Sequence, residues 1–334
     1  YGDDLAFLAR HTRVLELSNG DGARIAICPA YQGRIMTSTC DGTDGSSFGW
    51  INRSFIEAGE SNPHFNNYGG EDRIWLAPEG GQFSLWFAEG KPQTLDHWLT
   101  PPAMNEGPFE VTSAASDPFY RLERTMELTN ASGTEFTLDV KRTIRLLNPP
   151  AIAESFGDDV AARLAEAGGV QWVGFESNNE AINRGERPTR ETGLVSLWIL
   201  GQFPGGPQTV IIVPYRAGTV DELGPVVNSD YFADVPDDRL QVTETAILFR
   251  GDGQFRSKIG VSPRRVLPFA AAIDFATSTL TVVRFDLPDD PAASMYLENR
   301  WILPQPEPFA GDAMNSYNDG PPEPGAKSLG GFYE

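Results

Sequence analysis

The chain has 334 residues, a formal net charge of −20 and an isoelectric point near 4.5. That balance argues against nucleic acid, anionic membrane surfaces and strongly anionic polymers, because neutralising phosphates takes clustered Lys and Arg. Forty per cent of residues are hydrophobic, with 20 Phe, 9 Tyr and 7 Trp, enough for a substantial core, yet no apolar run approaches the roughly 20 residues that span a bilayer.

The sequence opens on Tyr1 and shows neither the basic n-region nor the apolar h-region of a signal peptide. A processed chain in the periplasm or outside the cell is the expectation, with the cytoplasm as the alternative. "RVLEL", the turn "SNGDG" and "ARIAIC" read as a hairpin, and "PAYQGR" turns the chain into "RIMTSTC". A turn centred on Tyr31 and Gln32 sets Cys28 opposite Ile35, which leaves Cys40 five residues further on. At about 3.3 Å per residue that is roughly 16 Å, too far for a disulfide. Both thiols should be free.

The stretch "NNYGGEDRIWLAPEGGQFSLWF", Asn66 to Phe87, carries two Gly-Gly pairs around the charged trio Glu71, Asp72 and Arg73. Ile74, Trp75 and Leu76 are apolar between them, and "QFSLWF" resumes strand alternation. Further on, Tyr120, Leu122, Met126 and Leu128 share one parity. After the turn "NASG", so do Phe136, Leu138, Val140, Ile144 and Leu146. Arg124 and Arg142 fall on that same apolar parity, which predicts pairing with a buried acid.

"GDDVAARLAEAG", Gly157 to Gly168, is the one segment with helical spacing, with Asp158 as its cap and Val160, Ala161 and Leu164 as its stripe. Strand-like runs follow in "VQWVGFE", "VSLWIL", "TVIIVPY", "RLQVTETAILF", "RSKIGVS", "AAAIDFAT", "LTVVRFDL" and "MYLENRWIL". Many closely spaced strands with almost no helix predict an all-β sandwich or barrel in a single domain, 1–334. A tail rich in Pro and Gly, about residues 304–334, is expected to wrap the sheet before a short final strand.

Chemistry has few vehicles here. The histidines are His11, His64 and His97, and no zinc spacing, G-x-S-x-G elbow or P-loop occurs. No metal or cofactor is assigned; a structural Ca²⁺ stays open, although no EF-hand-like loop supports it. Glu71, Asp72, Arg73, Glu79 and Gln82 gather at the mouths of two turns, where carboxylates can move protons and Arg can clamp oxygens. The competing reading is a set of braces holding loops. Glu176, Asn178 and Asn179 close the apolar run "VQWVGF", and amides beside a carboxylate suit sugar hydroxyls as well as turns. Trp50, Trp75, Trp86, Trp172 and Trp301 are stacking candidates, most of them expected in the core.

These motifs, with "GRIMTS", "GWINRSFI", "FESNN", "RSKIGVSPRR" and "SYNDGPPEPG…GGFYE", run over nearly the whole chain. On them the sequence resembles uncharacterised relatives of the galactose mutarotase (aldose 1-epimerase) superfamily. The resemblance implies a supersandwich of large antiparallel sheets with a ligand site on a concave face. Mutarotases use an arginine, a loop histidine, a second histidine downstream and a late carboxylate base. Here Tyr68 stands at the loop-histidine position, with His64 four residues before it as a substitute, and no histidine follows His97. Arg73 or Arg34 would supply the arginine, and Glu298 or Glu334 the base.

The leading functional expectation is a carbohydrate-active protein, epimerase-like or related, that rearranges a neutral or weakly acidic sugar by acid–base chemistry. Glu71 and Glu176 form the candidate acid–base pair and Arg73 the polarising group. His64, Asn67, Asp72, Glu79, Gln82, Asn178, Asn179, Lys258, Asn318, Asp319 and Glu334 are candidate sugar-binding residues. Residues from "GGEDR", "PEGGQ" and "FESNN" are expected to line one pocket. The alternatives are a non-catalytic carbohydrate-binding module and a structural or assembly protein. Partners reduce to a small sugar or glycan, with oligomeric state open.

Overall fold

In the computed structural model, strand outweighs helix, 34% against 14% of residues, in several antiparallel sheets. The structure describes residues 1–232, 234–291, 293–321 and 331–333, of which 331–333 are described in backbone only. Where the sequence reading has one domain, the chain forms two compact units. The first holds Tyr1–Trp75, Leu99–Thr129 and Glu135–Arg187; the second holds Leu76–Trp98, Asn130–Thr134 and Pro188–Glu334.

The first unit begins with helix α1 (Gly2–His11), followed by strands β1 (Leu15–Ser18), β2 (Arg24–Cys28) and β3 (Arg34–Thr39) as an antiparallel sheet. Helix α1 lays Phe7 and Leu8 into a core with Ala26, Cys28, Tyr31, Met36 and Ile56. Helix α2 (Arg53–Ala58) is capped by Asn52, whose side chain accepts from the Phe55 N–H, and it leads to strand β4 (Arg73–Ala77). The "PAYQGR" turn puts Gln32 in the left-handed region and a bulge shifts the register, so Cys28 faces Arg34 and Ile27 faces Ile35. Both cysteines are free. Denatured, unreduced protein should therefore titrate as two thiols per chain; a value near zero would show a disulfide.

Helix α3 (Pro102–Asn105) precedes the four-stranded sheet β5 (Glu110–Val111), β6 (Phe119–Thr129), β7 (Glu135–Leu146) and β8 (Phe175–Asn183), which lie in that order. The period-two pattern is realised at seven of its nine positions, Tyr120 and Leu146 at the strand ends being half-buried. Leu122, Met126, Leu128, Phe136, Leu138, Val140 and Ile144 are all buried, and Leu122 lies opposite Arg142. Helices α4 (Pro149–Phe156) and α5 (Asp158–Ala167) fill the connection to β8.

In the second unit, strands β9 (Ser196–Phe203), β10 (Thr209–Pro214), β11 (Leu240–Val242), β12 (Ala246–Arg250) and β13 (Ser257–Val261) are followed by β14 (Phe269–Asp274), β15 (Thr279–Arg284), β16 (Met314–Asn318) and β17 (Gly331–Tyr333). One sheet runs β11-β12-β10-β14-β15, and in another β13, β16, β17 and β9 lie side by side. Ile211, Val213, Ile247, Phe249, Ile259, Val261, Val266 and Met314 form the core. Helix α6 (Val220–Leu223) is a single turn with a capping box between Thr219 and Glu222.

Several expectations are corrected. Six α-helices and two short 3-10 helices occur among the described residues, two of the α-helices ten residues long. Gly157, not Asp158, occupies the N-cap of α5, and Val160 is largely exposed rather than part of a buried stripe; the side chains of Ala161 and Leu164 lie outside the described ones. "RLQVTETAILF" is a hairpin of two short strands, while "QFSLWF" and "MYLENRWIL" lie outside the strands. The β8 strand is the polar run "FESNNEAIN" and not the apolar "VQWVGF" before it.

Candidate functional site

Gly69 and Gly70 have φ of +89° and +106°. A side chain on Gly69 would collide with the Trp50 carbonyl, and one on Gly70 would press on the Arg34 side chain at 2.7 Å. Gly70 therefore leaves room for Arg34, and Gly69 for the Trp50 backbone. Arg34 Nη1 donates to Gly69 O and Nη2 to Gln32 Oε1, each at 2.6 Å, so this arginine is a buried brace.

Glu71 turns inward, accepting from the backbone N–H of Ser38 at 2.5 Å and from its hydroxyl at 2.8 Å. Asp72 turns to the sheet: Ser177 Oγ donates to Oδ2 at 2.8 Å, and Arg142 forms a close ion pair with Oδ1. Arg142 Nε donates to Asn179 Oδ1 at 2.9 Å. The buried acid expected for Arg142 is Asp72. Arg124 instead donates to the carbonyls of Glu106 and Gly107. "GGEDR" and "FESNN" thus meet through Asp72, Arg142, Ser177 and Asn179, as a buried brace and not as the lining of the pocket expected from sequence.

They do not bring Glu71 to Glu176. Alternation along β8 puts Ser177 and Asn179 on the inner face and Glu176 and Asn178 on the outer one. Glu176 is exposed and held by Arg145 Nη2 at 2.8 Å to both oxygens. Asn178 stands with Arg121, Glu123, Lys141, Thr143 and Glu180 in a shallow outer groove. Arg73 is buried, its guanidinium carbon 4.4 Å from the Phe65 ring centroid and 4.2 Å from that of Trp75. His64 and Asn67 are half-buried in the preceding loop.

Burial raises the Glu71 carboxyl from 4.5 to about 7, against the opposing pull of its Ser38 hydrogen bonds. A carboxyl poised near neutrality suits acid–base work, but both oxygens are turned inward onto the Ser38 N–H and hydroxyl of the first unit's core. We assign it a structural role with a pH signature. Because the folded value lies above the unfolded one, the folded chain holds the proton between pH 4.5 and 7. The contribution of Glu71 to stability is therefore full below pH 4.5 and is lost as pH rises through 7, by about 3 kcal/mol. Glu71→Gln should flatten this dependence when urea midpoints at pH 5 and pH 8 are compared. An unchanged slope would contradict the assignment.

The second unit gathers a different set of groups. "PEGGQ" packs on the loop that follows Leu297. A side chain on Gly80 would collide with the Arg300 carbonyl, and one on Gly81, at φ +79°, would collide with the Gln305 side chain. Asn299 Oδ1 accepts from the Glu79 N–H at 2.8 Å, Trp98 Nε1 donates to Glu79 Oε1 at 2.8 Å, and Gln82 Oε1 accepts from the Gln305 N–H at 2.9 Å. Glu79 and Gln82 are braces for residues 298–305, and what they present is Glu298 and Arg300. Arg300 donates Nη1 to Glu298 Oε2 and Nη2 to Asp230 Oδ1, both at 2.9 Å, and lies 4.7 Å from the centroid of Tyr231.

Asn228 exchanges backbone hydrogen bonds with Gly260 of β13, each 2.8 Å, which draws Tyr231 to that strand. Tyr231 donates its hydroxyl to Asp312 Oδ2 at 2.6 Å and accepts from Asn315 Nδ2 at 2.9 Å; Asn228 Nδ2 donates to Asp312 Oδ1 at 2.7 Å. Gly260 must lack a side chain, because one would occupy the Asp312 carboxylate. Burial raises the Asp312 carboxyl, opposed by its bonds to Tyr231 and Asn228, and burial likewise raises the Tyr231 phenol, reinforced by the adjacent Asp312 charge. Lys258, 6% exposed, sets Nζ 5.1 Å from the Tyr231 centroid and 5.3 Å from that of Trp198. Glu298, Asp312, Tyr231, Lys258 and Arg300 form one ionisable cluster with Trp198 beside it.

Of the remaining expected binders, Asn318 is buried as a turn brace, accepting from Gly253 N–H and donating to Phe255 O at 2.9 Å each. Asp319 accepts from the Tyr317 hydroxyl at 2.9 Å. Glu334 lies outside the described residues. Sequence reasoning misses Tyr231, Asp312 and Arg300; for Tyr231 the available signal was an aromatic pair, Tyr231 and Phe232, in the acidic loop "NSDYFADVPDD". Among the described residues, no group of three or more His, Cys, Asp or Glu could hold a metal ion, and no helix is long and apolar enough to cross a membrane.

Fold and site define a mainly β protein with a braced carboxylate–arginine core in one unit and an ionisable, aromatic-flanked cluster in the other. The chain belongs to a family of unknown function, DUF6786, whose model it matches over residues 1–334. It is similar to the Slr1438 protein from Synechocystis sp. PCC 6803, whose crystal structure superposes with a TM-score of 0.44 at 13% identity, covering 96% of this chain and 85% of that one. No curated protein matches the chain.

Proposed function

We propose that the protein is a carbohydrate-active enzyme that opens and recloses the hemiacetal of an aldose by acid–base chemistry at the Glu298–Asp312 cluster. The observation carrying this reading is that two carboxyls share one cluster in different environments. Glu298 is held by Arg300, whereas Asp312 is pushed toward its protonated form by burial and bonded to the Tyr231 hydroxyl. Such a divergence is what separates a base from an acid.

Glu298 takes the proton of the anomeric hydroxyl while the Asp312–Tyr231 pair delivers one to the ring oxygen. The bond from C1 to the ring oxygen breaks, the open-chain aldehyde forms, and reclosure on either face returns both protons. Nothing is oxidised or reduced. Lys258 and Arg300 supply positive charge for the oxygen that becomes the carbonyl, and Trp198 and Tyr231 offer apolar faces to the C–H side of the ring. The sequence resemblance to galactose mutarotase relatives supports the same class, with Glu298 as the late carboxylate base that the resemblance implies.

Exchange NMR on a panel of aldoses and uronic acids tests the reading. The protein should speed interconversion of the two anomers of at least one sugar. Saturation transfer to a sugar without faster exchange would reduce the protein to a binding module, and neither effect would remove the carbohydrate reading.

A further inference from the structure

Arg300 is held unevenly. Nη1 is anchored to Glu298, whose side chain is 11% exposed, but Nη2 is paired to Asp230, whose side chain is 72% exposed. Nε is buried and has no hydrogen-bond partner. Nε and Nη2 make up the side-on edge of the guanidinium, the edge that takes a carboxylate in a two-point fork. Asp230 meets only one of those two nitrogens.

A buried N–H without an acceptor costs stability, whereas an ion pair to a mostly exposed Asp contributes little. The present partner is therefore the weaker of two possible ones. We infer that the substrate of this site is a sugar acid, whose carboxylate displaces Asp230 and forks across Nε and Nη2 of Arg300. Asp230 has water to turn into, and Glu298 keeps Nη1, so the exchange leaves no charge buried without a partner.

Lys258, close to the same Tyr231 ring, adds a second positive charge within reach of an anionic ligand. The chain's overall charge of −20 sets the scale of that ligand. A single carboxylate can be matched locally, while a polyanion would be repelled along its length. The ligand is thus a monosaccharide acid or the acidic end of a short glycan. This inference rests on the cluster binding sugars, as proposed above.

Calorimetric titration of the full chain with three matched pairs tests it: glucose and glucuronate, galactose and galacturonate, mannose and mannuronate. In at least one pair the acid should bind about tenfold or more tighter than the neutral sugar. Asp230→Ala, at an exposed position, should raise that ratio about threefold or more by removing the competitor. Arg300→Gln should bring it to about one. If Arg300→Gln fails to fold, Asp230→Ala decides alone. Equal binding within every pair, or a ratio indifferent to Asp230→Ala, overturns the inference and leaves the sugar-binding reading standing. If no sugar of any pair binds the unaltered protein, both fall.

Discussion

Arg142→Ala is expected to lower the unfolding free energy by about 3–5 kcal/mol, the range for breaking a buried ion pair by removing one partner. Arg142 is fully buried at the centre of β7, between Leu122 on one side and Asn179 on the other. Its removal leaves the Asp72 carboxylate with a single hydrogen bond, from Ser177, and leaves Asn179 Oδ1 without its donor. A cavity the size of a guanidinium adds to the loss. Equilibrium urea unfolding measures the change. A loss below about 1 kcal/mol would mean that Asp72 and Asn179 find other partners, and that the polar core of the first unit is not a brace.

Glu298→Gln is expected to slow anomer exchange by about 10²–10⁴-fold, the usual contribution of a positioned general base. The amide keeps the size of the side chain and still accepts from Arg300, so binding and fold should change little while the proton acceptor is lost. Rates from exchange NMR at saturating sugar, set beside binding constants for the same variant, separate the two effects. Loss of binding with an unchanged limiting rate would make Glu298 a binding group and reassign the base.

The longest hairpin was legible in the sequence because burial on one face imposes period two on both β6 and β7, and "NASG" supplies the turn. The placement of Arg142 was legible for the same reason, since a charge on apolar parity demands a partner. β8 was not, because its inner face is polar: Ser177 and Asn179 complement Asp72 and Arg142, and no hydrophobic alternation remains to mark the strand. The apolar "MYLENRWIL" misleads in the opposite sense. Its Leu297 is buried and Trp301 packs against Phe87 and Trp98, yet the chain there is shaped by the Gly80–Gly81 loop rather than by strand pairing. Helix α1 offers only Leu5, Phe7 and Leu8 across ten residues, too few turns for a helical period to stand out.

The site divides in the same way. "GGEDR" and "FESNN" announce themselves by dense polar residues, but most of those residues hold the fold together. Tyr231, Asp312 and Arg300 come from three separate loops and strand ends of the second unit, where sequence spacing carries no sign of their meeting. Their convergence depends on the Asn228–Gly260 bridge and on the absence of a side chain at Gly260, both properties of the folded backbone.

A crystal structure of the protein soaked with a saturating aldose or uronic acid is the most direct test of the account. The sugar should sit in the second unit with its anomeric hydroxyl within about 2.6–3.2 Å of Glu298, a further oxygen on Arg300, and one ring face against Trp198 or Tyr231. Sugar bound instead on the outer face beside Asn178 and Glu180, with the Glu298 cluster unchanged, would contradict it.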